Sequence, residues 1–132
     1  MSYVIKILAF AFAFSGCVAN QFITNKNEFK GSVFSKTITI NVNYQKLAHC
    51  VDSIIVDTPY LIDIKTFDEL GKIEWRASRA SAHYIMAIIE FKKIHQDKTE
   101  ARLYSPFDKR HKDIKISLPF MESSLKDCEV AK

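Results

Sequence analysis

Hydrophobic and polar residues alternate cleanly between positions 33 and 42. Phe34, Ile38, Ile40 and Val42 share one side, while Ser35, Thr37, Thr39 and Asn41 share the other. A period of two in β-branched residues predicts a half-buried strand. The period then lengthens. Tyr44, Leu47, Ala48, Val51 and Ile54 or Ile55 recur at helical spacing behind Asn43, which suits an N-cap, so a helix is predicted over 44–55. Asp57-Thr58-Pro59 breaks the chain.

Four more strands follow with short turns. They are Tyr60 to Phe67, Lys72 to Ser78, His83 to Ile94, and Thr99 to Tyr104, ended by Pro106. In the second, Ile73, Trp75 and Ala77 alternate with Lys72, Glu74 and Arg76. In the third, Ile85, Ala87, Ile89 and Phe91 form one face, and Tyr84, Met86 and Ile88 make the other face apolar as well. A strand apolar on both faces belongs at the centre of a sheet. Ser117-Leu118-Pro119 then opens a helix, along which Leu118, Met121, Leu125 and Cys128 recur three and four residues apart. The order β-α-β-β-β-β-α predicts an α+β fold: a two-layer domain over 33–132, with an antiparallel meander and both helices packed on one face.

The first residues follow a different logic. Lys6 precedes Ile7 to Phe14, an unbroken apolar run of eight, and the small residues Ser15 and Gly16 come next. A short positive segment, a brief apolar stretch and small residues make a secretory signal peptide, too short to remain in a bilayer. Phe14-Ser15-Gly16-Cys17 resembles the lipobox of bacterial lipoproteins. The resemblance implies removal of residues 1–16 and lipidation of the Cys17 thiol. It also implies an outer-membrane destination, because Val18 rather than Asp follows the cysteine. The competing reading is ordinary cleavage after Ala19, giving a soluble exported or periplasmic protein that acts as an inhibitor or small-ligand-binding module. Residues 17–32 are polar, end in Gly31-Ser32, and are expected to be a lipid-anchored flexible tether.

With Cys17 assigned to lipid, Cys50 and Cys128 remain. An even pair in an exported chain suggests a disulfide. Both fall beside the apolar stripes of predicted helices, so the bond would staple those helices together. The alternative is two buried free thiols.

Composition narrows the chemistry. The chain has 132 residues, 48% of them apolar and 26% charged, which suits one small domain. Without residues 1–16 and their one lysine, 18 basic face 15 acidic residues, a net +3 that is too mild for a nucleic-acid binder. Only three glycines occur, so no phosphate loop is built. His49, His83, His95 and His111 stand at no metal-ligand spacing, and no serine lies in a GxSxG elbow. Cross-strand carboxylate pairs, Asp63 with Glu74 and Glu90 with Glu100, are expected on a solvated face among Lys65, Arg76, Lys92 and Arg102. The sequence therefore predicts no catalytic residue, metal or cofactor. Its most suggestive surface feature is basic: Lys92, Lys93, Lys98, Arg102, Lys109, Arg110 and Lys112 lie close in sequence. They are candidates for contact with an anionic envelope surface. The partners expected are the membrane, through the lipid, and an envelope protein or surface.

Overall fold

The computed structural model describes residues 23–55, 60–79, 84–110 and 114–131. Helix α1 (Lys26–Ser32) leads into β1 (Phe34–Ile40) and α2 (Tyr44–Ile55). Strands β2 (Tyr60–Phe67), β3 (Lys72–Arg79), β4 (Ile85–His95) and β5 (Lys98–Ser105) follow, and α3 (Leu118–Val130) closes the chain. The five strands lie in the order β1-β5-β4-β3-β2, every neighbour antiparallel. This is the α+β architecture that the periodicities predict. β2 to β5 form a meander, and β1 returns beside β5.

Local chemistry sets the element ends. The Asn43 side chain accepts from the backbone N–H groups of Gln45 and Lys46, starting α2. The Ser117 hydroxyl accepts from Phe120 N–H, with Pro119 in the first turn of α3. Between β2 and β3, a short 3-10 turn at Asp68–Leu70 ends on Gly71 at φ 57°. A Cβ there would meet the Lys93 Cβ at 3.0 Å, so both conformation and space require glycine.

The main core lies under α2 and α3. Ile73, Trp75, Ala87, Ile89, Phe91 and Leu103 face Leu47, Val51, Ile55, Met121 and Leu125, all buried. Trp75 is fully enclosed, and its indole N–H donates to Asp52 Oδ1 at 3.0 Å, which fixes α2 on the sheet. Cys50 of α2 and Cys128 of α3 form a disulfide with their Cα atoms 6.0 Å apart. The bond staples the two helices on one face of the sheet, as expected from their positions beside the apolar stripes.

Three expectations are corrected. Residues 26–32 are not tether but helix α1, which lies on the opposite face of the sheet. Asn25 caps it by accepting from Asn27 and Glu28 N–H, and Phe29 is fully buried among Ile23, Ile85 and Ile88. Among the described residues, helices thus lie on both faces, two on one and one short helix on the other. Second, Ile85 does not share a face with Ala87, Ile89 and Phe91. The β3–β4 register shifts between Ala77 and Ser78, so Ala77 pairs with Ala87 and Ser78 with Ile85. Met86 is the extra residue of a β-bulge, and the bulge turns Ile85 to the α1 side. Third, Phe34 is half exposed, although it alternates in phase with Ile38 and Ile40. It pairs with Ser105 at the end of an edge strand, with open surface on one side.

Candidate functional site

The face opposite α2 and α3 carries the charged residues, set in rows across the strands. One row runs Lys65, Glu74, Glu90, Arg102, Thr37, and the next Asp63, Arg76, Ile88, Tyr104, Ser35. The register makes Glu74 and Glu90 direct neighbours on β3 and β4, an arrangement that repels if left alone. It is compensated from α1. Lys26 Nζ lies 3.2 Å from Glu74 Oε2, and Lys30 Nζ lies 3.0 Å from Glu90 Oε1. Lys72 of β3 adds a contact of 2.7 Å to Glu90 Oε2.

This corrects the expectation of a solvated face. Glu74 and Glu90 are buried beneath α1, at 2% and 9% exposure. Burial pushes the Glu90 carboxyl up, but Lys72 and Lys30 together outweigh it and hold the group below its ordinary value. The Lys30 ammonium also lies 5.5 Å from the centre of the Tyr104 ring. Burial raises the Tyr104 hydroxyl, and nearby Glu90 raises it further.

Toward the β4–β5 turn, beyond the cover of α1, the same face opens into a cleft of about 330 Å³. Leu70, Lys72, Glu90, Lys92, Glu100 and Arg102 line it. Glu90 is already held by two lysines, and Arg102 Nε is 2.9 Å from Glu100 Oε1. Lys92 is exposed and makes no ion pair among the described residues. The cleft therefore offers one spare ammonium beside the carbon stem of Leu70, which is 70% exposed. An ammonium beside an exposed apolar side chain suits a small anionic group with an apolar neighbour.

The fold divides the basic cluster rather than gathering it. Lys92 and Arg102 meet in the cleft, while Lys93 points to the other face beside Gly71. Lys98 starts β5 at the β4–β5 turn, whereas Lys109 and Arg110 follow the far end of that strand. An eight-residue strand puts those ends about 25 Å apart. Lys112 lies outside the described residues, as do Cys17, His83 and His111. His49 is exposed on α2 and His95 is exposed at the end of β4, and among the described residues neither belongs to a group of metal-ligating side chains.

The residues that sequence reasoning missed are those of α1. Their signal is present but short: Asn25 as cap, then Lys26, Phe29, Lys30 and Val33 at helical spacing. A seven-residue helix carries too few repeats to stand out from a polar linker. The chain matches no protein-family model, and no curated protein matches it.

Proposed function

We propose that this chain is an exported bacterial envelope protein, anchored by lipid on Cys17 to the outer membrane, with a binding or accessory role rather than a catalytic one. The observation that supports export is the Cys50–Cys128 disulfide, because such bonds persist in oxidising compartments. The lipobox-like Phe14-Ser15-Gly16-Cys17 supports the anchor.

The position of α1 gives this reading a geometry. Ile23 is held to the domain, its carbonyl accepting from Ile85 N–H at 2.9 Å. Six residue steps separate it from Cys17, a reach of about 20 Å at full extension. A lipid on Cys17 would keep the domain close to the bilayer, with the Ile85 end of the sheet nearest. Lys109 and Arg110 follow Ser105 at that same end, where basic side chains add up to about 1 kcal/mol each against anionic headgroups. The cleft at Lys92 would then face away from the membrane, open to a partner.

Intact mass of the protein recovered from an envelope fraction tests the anchor. The expected result is a chain starting at Cys17 with added acyl mass, which Cys17→Ser releases from the membrane. A chain starting at Asn20 without lipid would replace this reading with the soluble exported one. Reduction should add about two hydrogens, from Cys50 and Cys128.

A further inference from the structure

The two edges of the sheet are finished differently. Beside β1, α3 packs close: Lys36 Nζ lies 2.7 Å from Glu122 Oε2, and just past the strand Asn41 N–H donates to Glu129 Oε2 at 2.8 Å. At the β2 edge nothing comparable occurs among the described residues. Among the described residues β2 pairs with β3 alone, and Leu61, Ile64 and Phe67 are 48%, 43% and 37% exposed. An open edge of this length is a template for another strand.

The sequence of β2 names that strand. Around Ile64 it is self-complementary, because Asp63 and Lys65 flank the isoleucine and Leu61 and Phe67 flank the charges. We infer that two copies of this chain join antiparallel through β2, about a two-fold axis at Ile64, so that their sheets become continuous. In this register Asp63 of each copy faces Lys65 of the other. Leu61 meets Phe67, and Ile64 meets its own counterpart on the helix side.

Other registers are worse. A slip of two residues puts Asp63 against Asp63 or Lys65 against Lys65, and a slip of one turns the second sheet upside down. Lys65 makes no ion pair among the described residues, so its ammonium is available. Asp63 lies 3.3 Å from Arg76 and is 48% exposed, leaving acceptor sites for a second cation. This inference is independent of how the chain is anchored.

The test uses the protein as recovered from cells, in mild detergent if it carries lipid, and follows its oligomeric state by sedimentation. A concentration-dependent dimer is expected. Lys65→Glu should weaken it by about tenfold or more, since like charges then face each other across the seam. Asp63→Lys should do the same. An equal mixture of the two variants should recover dimer, as a mixed pair in which every charge is matched. Ile64→Cys should give more disulfide-linked dimer on oxidation than the parent, because antiparallel partners lie within disulfide reach. A parent that stays monomeric at every concentration would overturn the inference and leave Lys65 as a guard against edge pairing. If Asp63→Lys does not fold, Lys65→Glu decides alone: dimer strength equal to the parent's overturns the inference.

Discussion

The two faces of the sheet are held by different physics. On one, two long helices bury a continuous apolar layer around Trp75, Phe91 and Leu103, and a disulfide ties the helices to each other. On the other, the seven-residue α1 is held by its own Phe29, packed among Ile23, Ile85 and Ile88, and by a set of ion pairs. Burial of apolar area contributes steadily, whereas an ion pair near the surface contributes only about 0–1 kcal/mol. The first face should therefore open only with global unfolding, and the second should open locally.

The largest expected effect lies on the disulfide face. The Cys50–Cys128 bond closes a loop of 78 residues, for which chain entropy gives about 4 kcal/mol. The double variant Cys50→Ser with Cys128→Ser should lose about 2–4 kcal/mol in a denaturant titration. The parent under reductant should lose a similar amount. A loss below about 1 kcal/mol would mean that the packing of α2 on α3 holds without the staple.

Phe29→Ala probes the other face. A buried phenylalanine replaced by alanine costs about 3–5 kcal/mol where the site cannot escape. Here α1 can undock, so the loss of global stability should stop at the free energy of its local opening, about 1–2 kcal/mol. Hydrogen exchange separates the cases. Amides of 26–32 should lose protection while those of β3 and β4 keep it. Uniform loss across the sheet would show that the two faces unfold as one.

This contrast also explains which parts of the fold were legible in the sequence. The disulfide face is written in long periods: Leu47, Val51 and Ile55 along α2, and Ile73, Trp75 and Ala77 along β3. Each repeats often enough to be read without the rest of the chain. The charged face depends on register. Glu74 is beside Glu90, while the expected pairs are not formed: Asp63 faces Arg76 and Glu90 faces Arg102 rather than Glu100, because the pairings are fixed by turns and a bulge far from these residues. The bulge at Met86 is one inserted residue with no compositional mark, and it reverses Ile85. Likewise the basic residues from Lys92 to Arg110 are close in sequence but lie on either side of a turn and at both ends of β5, which separates them.

Acid should distinguish the faces with a smaller effect. The Glu90 carboxyl is held below its ordinary value of 4.5 by Lys72 and Lys30, against the opposing push of burial. A group depressed in the folded state adds stability above its unfolded value, and that stability is lost as pH falls through the folded one. The docking of α1 should thus be intact above about pH 5 and weaken progressively below it. The Glu122 carboxyl, lowered chiefly by Lys36, should weaken the hold of α3 on β1 over the same range. The disulfide and apolar core do not titrate there. Proteolysis between residues 23 and 33 at low pH, with the near-ultraviolet signal of Trp75 retained, is the expected outcome.

The smallest effect separates two lysines of the charged cleft. Lys72 and Lys92 are direct cross-strand partners, yet only Lys72 has a carboxylate, Glu90, at 2.7 Å. Lys72→Ala removes one of the two cations that compensate a buried charge. It should cost about 1 kcal/mol and raise the pH at which α1 detaches. Lys92→Ala removes an exposed ammonium with no ion pair among the described residues and should change stability by less than about 0.5 kcal/mol. Lys72 holds the domain's own carboxylate, while Lys92 makes no ion pair among the described residues. If Lys92→Ala instead proves as costly as Lys72→Ala, Lys92 also stabilises the charged face, and the cleft has no spare cation to offer a partner.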